Sequence, residues 1–244
     1  MKAFEFFSAK RQQFAQRAQA AFAQYKEAKK QRGMTLLEVI IVLGIIGTIA
    51  AGVVVLAQRA FDSRTVSEVV QNTNTIRVAI KDAYASTGSY PDAKTTEVLG
   101  LNNDTIKTTD AGATSALVRL GKVSIDEMRN KISGDFYAIG AASTVAGGDG
   151  GRTANKKGYV VEINGLTSEQ CRNIITQIGN NWDYVQVANS AAGAYSIGAV
   201  TDMTGATSVD KLRTLTDAKT ITPGSTVATC TNTGASNSII LGSR

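Results

Sequence analysis

The sequence contains no histidine, one tryptophan and only two cysteines among 244 residues. The absence of histidine excludes Ser-His and Cys-His catalysis as well as His-ligated zinc sites. No other pairing of a nucleophile with a base is apparent. The sequence therefore predicts no enzyme activity, no catalytic residue, no metal ligand and no cofactor.

The two cysteines, Cys171 and Cys230, both lie in the C-terminal half. They would form one disulfide in an exported domain, or remain two buried thiols in a reducing compartment. The membrane signal described below favours export, and therefore the disulfide.

The positive charge of the chain is concentrated at its N-terminus. Residues 1–33 contain eight Lys or Arg and two acidic residues, so positions 34–244 carry 18 basic and 18 acidic residues. A basic flank before an apolar run is a topology signal under the positive-inside rule. The charge therefore predicts no nucleic-acid partner.

One long apolar run follows this flank, and its only charge is Glu38. Residues 34–57 read MTLLEVIIVLGIIGTIAAGVVVLA, and as a helix they would span ~36 Å, enough to cross a bilayer. An ordinary signal peptide cleaved near Ala50-Ala51 and a plain single-pass anchor are the alternatives. Signal-peptide cores are shorter, and neither alternative explains a carboxylate one turn into the run, which is functional by default.

Small residues recur along this run and favour close approach between helices in an apolar medium. Ordinary transmembrane glycine usage is the alternative. The residues are Gly44, Gly47, Ala50, Ala51 and Gly52.

The helix is expected to continue past Gln58 as an amphipathic segment and to end near Ser86, before the stop at residues 87–91. Its expected buried face comprises Phe61, Val69, Ile76, Ile80 and Ala83.

The remaining residues predict an α+β domain with an antiparallel or mixed sheet. The predicted strands are 135–141, 158–163, 184–188, 194–200, 226–231 and 238–241. Helices are predicted at 115–120, from the capping boxes at Ser124 and Thr167, and from Ser208.

The stretch Arg32-Gly33-Met34-Thr35-Leu36-Leu37-Glu38 resembles the prepilin peptidase site of type IV pilins and type II secretion pseudopilins. The resemblance implies cleavage between Gly33 and Met34, N-methylation of Met34, and an assembly role for Glu38, the fifth residue of the mature chain. It divides the chain into a leader at 1–33, a membrane and polymerisation helix at 34–57, and the amphipathic half of that helix at 58–91. The globular head follows at 92–244, with a disulfide-delimited region at 171–230.

The long leader, Met34 and the two cysteines resemble the type IVb group. This group includes the major pilins of enteric pathogens, among them the toxin-coregulated pilus subunit and the longus and colonisation-factor pilins of enterotoxigenic bacteria. The resemblance implies a long N-terminal α-helix packed on an antiparallel β-sheet, the type IV pilin fold. It also implies that the chain is the major subunit of a pilus used in adherence, aggregation and colonisation. A type II pseudopilin or minor pilin is the alternative, and a membrane-tethered enzyme is a third.

The same resemblance implies the partners and the location. The partners are other copies in a helical filament, prepilin peptidase, the inner-membrane assembly machinery, and host surfaces or other pili. The precursor would reside in the inner membrane and the mature subunit in an extracellular fibre.

Three further features are interpreted as structural rather than functional. The glycine-rich segment 147–152 is expected to be a surface loop, because it lacks the Gly-Lys-Ser/Thr ending of a phosphate loop. Asp202, Asp210 and Asp217 match no compact calcium loop and are expected on the surface. Trp182 and Tyr184 are expected in the core.

Overall fold

The computed structural model describes residues 35–146 and 155–244. The leader, Gly33, Met34 and the predicted loop at 147–152 all lie outside these ranges. The predictions made for them stay predictions. The chain divides into two compact units, Met1–Ala57 and Gln58–Arg244.

Helix α1 extends over Leu36–Tyr84 without interruption. No proline occurs before Pro91 to break it. It ends where Gly88 adopts φ +63°, and the Gly88 N–H donates to the Tyr84 carbonyl at 3.3 Å. Glycine takes this left-handed conformation at no steric cost, which explains the predicted stop.

The second half of α1 packs on the sheet of its own unit. Val69, Ile76 and Ile80 are buried, as predicted, together with Val66 and Thr73. Phe61, by contrast, is 67% exposed. That prediction was wrong because burial on this helix begins only at Val66, more than a turn later.

The elements after α1 are short helices and strands, as in an α+β domain. The remaining helices are α2 (Thr95–Leu99), α3 (Ala113–Arg119), α4 (Ser168–Ile178) and α5 (Pro223–Thr229), and the strands are β1 (Ala138–Ser143), β2 (Gly158–Leu166), β3 (Tyr184–Asn189), β4 (Val200–Asp202), β5 (Lys211–Arg213) and β6 (Asn237–Ser243). A short 3₁₀ turn covers Thr105–Lys107.

The six strands form one sheet in the order β4-β1-β2-β6-β3-β5. All neighbours are antiparallel except β1 and β4, which are parallel. The sheet is therefore mixed, and the purely antiparallel sheet implied by the resemblance was not found. The parallel pair arises because the connection after β3 crosses three strands before β4 joins the edge at β1.

Two predicted strands were wrong. Residues 226–231 belong mostly to α5, which Thr222 caps through the Ser225 N–H, with Pro223 in the first turn. This Thr-Pro-x-Ser start is a helix signal that outweighs the β-branched residues after it. Residues 194–199 form an irregular connection, and only Val200 of that prediction begins a strand.

The two predicted capping boxes and the helix predicted from Ser208 have different outcomes. Thr167 and Gln170 form the expected reciprocal bonds at the start of α4. Ser124 and Glu127 also bond each other, but they enclose only one turn. Ser208 accepts from the Lys211 N–H at 3.1 Å and leads into β5 rather than a helix.

An aromatic cluster fills the space between α1 and the sheet. Trp182 and Tyr184 are buried, as predicted. The rings of Tyr90 and Tyr159 lie 5.0 Å apart, and Tyr159 meets Trp182 edge-on at 6.3 Å. Edge-on and tilted contacts of this kind add to the stabilisation from burial.

Candidate functional site: the apolar helical segment and the surface that holds its continuation

The first half of α1 exposes its apolar side chains in the isolated chain. Leu36 is 77% exposed and Leu56 is 66% exposed, and the large apolar residues between them are exposed as well. Within the described residues, α1 is the one helix long and apolar enough to cross a membrane. An apolar surface of this extent needs lipid or other protein to cover it.

The glycines of this segment are not required by packing within the chain. A side chain added at Gly44, Gly47 or Gly52 would meet no other heavy atom within 4 Å. Glycine in the middle of a helix costs roughly 1 kcal/mol relative to alanine. Within the described residues, no contact inside the chain therefore requires these glycines.

Glu38 lies in the first turn of α1 with its carboxylate exposed. The Thr35 hydroxyl accepts from the Glu38 N–H at 3.3 Å, a capping bond that satisfies one free donor of the helix end. The positive end of the helix dipole favours a carboxylate at this position. Thr35 thus starts the helix so that Glu38 projects from its first turn.

Arg77 connects the second half of α1 to the head through hydrogen bonds and a cation–π contact. The sequence did not predict this role. Arg77 donates to the Asn181 carbonyl at 2.7 Å and to the Ser243 hydroxyl at 3.4 Å. Its guanidinium lies 4.8 Å from the centre of the Trp182 ring, a cation–π contact. The signal available in the sequence was weak, since Arg77 looked like one of several charges on the polar face.

Cys171 and Cys230 form the predicted disulfide, with Cα atoms 6.0 Å apart. Both cysteines are buried, and the bond joins α4 to the residue that ends α5. Arg172 also donates to the Cys230 carbonyl at 3.2 Å. The disulfide and this hydrogen bond therefore hold together the two ends of the region between the cysteines.

Replacing Cys171 by serine should lower the stability of the head. The cysteines are 59 positions apart, and closing a loop of that length in the unfolded chain is worth about 4 kcal/mol on the chain-entropy model. We expect a large fall in the urea midpoint and in subunit abundance.

The double variant Cys171→Ala, Cys230→Ala is the matched control, because it removes the bond without burying a serine hydroxyl or leaving one thiol. It should lose stability to a similar extent. Equal urea midpoints for the wild type with and without reductant, despite complete reduction, would contradict this explanation.

Glu162 is a fully buried carboxylate on β2 that the sequence analysis also missed. It accepts from the Ser196 N–H at 2.9 and 2.8 Å and from the Ile197 N–H at 2.9 Å. Burial raises the pKa of Glu162, and the backbone donors only partly offset that rise. Glu162 therefore anchors the irregular connection between β3 and β4, where 194–200 had been predicted as a strand.

Replacing Glu162 by glutamine should destabilise the head by about 1–3 kcal/mol, because the amide group must face backbone donors. The raised pKa also predicts how this loss depends on pH. A carboxyl whose pKa is higher in the folded than in the unfolded chain gains stability as pH falls through the folded value, and glutamine cannot. The deficit should grow as the pH falls from neutral toward the ordinary pKa of a glutamate, measured by urea unfolding of the full chain in detergent.

Glu169→Gln makes the same substitution at an exposed position in the first turn of α4 and is the matched control. If the stability deficit of Glu162→Gln instead shrinks as the pH falls, the backbone donors outweigh burial and lower the Glu162 pKa.

The three aspartates considered for calcium do not form one cluster. Asp202 accepts from the Thr204 hydroxyl at 2.7 Å, whereas Asp217 accepts from Thr207 at 2.6 Å and pairs with Lys219 at 3.0 Å. Over residues 35–146 and 155–244, no group of three His, Cys, Asp or Glu side chains is arranged to hold a metal ion.

Comparison with known proteins agrees with this geometry. A family model described as "Toxin-coregulated pilus subunit TcpA" matches residues 116–242, and one for the prokaryotic N-terminal methylation motif matches residues 28–54. A toxin coregulated pilin of Vibrio cholerae is 39% identical over 176 residues, covering 70% of this chain and 68% of the relative. A second, from serotype O1, is 38% identical over 165 residues, covering 67% and 65%.

The crystal structure of TcpA, a type IV pilin from the El Tor biotype of V. cholerae, superposes with a TM-score of 0.57 at 22% identity, covering 74% of this chain and 99% of that one. A helix with an apolar first half, whose second half packs on a mixed sheet, defines a type IV pilin. The chain belongs to the toxin-coregulated pilus subunit family. The predicted resemblance to type IVb pilins is confirmed, and the family is one of structural pilins.

Proposed function

We propose that this chain is the precursor of the major subunit of a type IVb pilus, which polymerises through the first half of α1. The observation that carries the proposal is the exposed apolar segment at residues 36–57, interrupted only by Glu38. Lipid covers this segment in the inner membrane before assembly, and the corresponding segments of other copies cover it in the fibre.

Prepilin peptidase removes residues 1–33 by cutting between Gly33 and Met34, and Met34 is then N-methylated. The match of residues 28–54 to the methylation motif supports this step. The basic leader keeps the cleavage site at the cytoplasmic face, where the positive-inside rule places it. Residues 34–244 then form the mature subunit, with 58–91 carrying the helix onto the head at 92–244.

Glu38 sets the register between subunits in this proposal. Cleavage creates an amine at Met34, and Glu38 lies four residues further on, ~6 Å along the helix axis. A carboxylate in an apolar medium is costly unless it is protonated or paired. The terminal amine of a neighbouring subunit supplies that pair, and apolar packing, which is non-directional, could not set the register alone.

The small residues support the same arrangement. Gly44, Gly47 and Gly52 present no bulk toward any atom of their own chain, so neighbouring helices can approach them closely. The assembly machinery of the inner membrane, host surfaces and other pili remain predicted partners, as do the roles in adherence and aggregation.

Electron microscopy of sheared surface material tests the proposal. Gold-labelled antibody to the head should decorate fibres along their whole length, as expected of a major subunit. Label confined to fibre ends would favour a minor pilin, and label found only in the cell envelope would favour a pseudopilin.

A further inference from the structure

Strand β6 is the one connection between two halves of the sheet. β4, β1 and β2 form one half, and β3 and β5 form the other. β2 and β3 each pair with β6 but not with each other. Since β6 follows the other five strands in chain order, the centre of the sheet is synthesised after all the strands beside it.

The position that β6 occupies between β2 and β3, here called the slot, lies inside the core of the head. All seven residues of the strand are buried. Leu241 lies between Val161 on β2 and Val185 on β3, and a side chain added at Gly242 would come within 2.5 Å of the Met203 sulfur. Without β6, two strand edges inside the core would lack backbone partners, a state that costs free energy at every unpaired group.

The surface that receives α1 includes the end of this strand. Arg77 reaches Asn181 just before β3 and Ser243 at the end of β6. The Ser243 hydroxyl donates in turn to the Asp183 carboxylate at 2.8 Å, so Arg77, Ser243 and Asp183 meet at one point. The polar contacts that hold α1 therefore include groups that are in place only after β6 enters the sheet.

We propose that insertion of residues 237–243 is the step that closes the head, and that α1 docks fully only on the closed sheet. A subunit whose residues 237–243 have not yet emerged thus keeps an open slot between β2 and β3 and a partly undocked helix. On the proposed function given above, this arrangement withholds the subunit from assembly until its export is complete.

The test uses the full chain, followed by linkers of increasing length and a translational arrest sequence. Short linkers keep residues 237–243 inside the ribosomal exit tunnel, and long linkers release them. We expect limited proteolysis of the head to slow by on the order of a thousandfold in one step when β6 emerges, since cleavage follows the population of the open state. A resistant head while β6 is still in the tunnel would overturn the proposal.

The docking step has a separate test in the released full chain. Arg77→Ala should leave the sheet resistant to trypsin while cleavage after Lys81 on α1 becomes faster. Arg64→Ala is the control, since the ion pair of Arg64, at 3.1 Å, is with Glu68 on the same helix, and it should leave cleavage after Lys81 unchanged. Unchanged cleavage in Arg77→Ala would refute the docking step. Neither test requires a fibre, so both outcomes are independent of whether the chain polymerises.

Discussion

Replacing Glu38 by valine should leave the subunit inserted and cleaved but almost without fibre. Removing one partner of a buried charge pair costs about 2–5 kcal/mol. Because each ~1.4 kcal/mol is a factor of ten, fibre yield should fall by at least about thirtyfold. Insertion should not suffer, because the substitution makes the apolar segment more apolar. The measurement is the amount of subunit in sheared fibres relative to the cleaved subunit in membranes.

Thr48→Val is the matched control for this prediction. Thr48 lies in the same exposed segment, but its hydroxyl donates to the Ile45 carbonyl of its own helix at 2.8 Å. It should therefore assemble normally. A normal fibre yield from Glu38→Val, with processing intact, would show that pairing of the carboxylate is not needed for assembly.

Replacing Gly33 by valine should abolish processing. A peptidase that cuts before Met34 must accommodate the backbone at Gly33, and a β-branched side chain would crowd that approach. The variant should accumulate as an uncleaved membrane precursor and form no fibre, as judged by subunit mass on gels and by microscopy.

Gln31→Val places the same side chain two residues before Gly33 and should be cleaved normally. Recovery of correctly trimmed subunit from Gly33→Val would refute the assignment of the cleavage site. Because Gly33→Val acts before assembly and Glu38→Val after cleavage, the two variants separate processing from polymerisation.

The long helix was the element most accessible from the sequence. An uninterrupted apolar run, a change to amphipathic spacing and the Gly88 stop are local signals, and they placed its end within two residues of Tyr84. The exposure of Phe61 could not be inferred in the same way, because spacing identifies a helix face but not where a partner surface begins.

The order of the strands depended on contacts between distant residues. Nothing local to 237–243 indicates a central position, since a short apolar run fits either an edge or the middle of a sheet. The connection after β3 was misread as a strand because its order comes from Glu162, more than 30 residues earlier in the chain, rather than from its own pattern.

The same contrast between local signals and distant contacts applies to the residues of the candidate site. Gly33, Met34 and Glu38 could be proposed from the sequence because the methylation motif is a short linear pattern, and their roles stay predictions. Arg77 and Glu162 were missed, since the role of each comes from partners that only the fold brings near: Trp182 and Asn181 for Arg77, and Ser196 and Ile197 for Glu162.

The intact mass of the subunit released from sheared surface fibres tests the central claim most directly. We expect a single species comprising residues 34–244, with one added methyl group and two hydrogens fewer for the Cys171–Cys230 bond. Fibres composed of another protein, or a subunit that still carries residues 1–33, would contradict this expectation.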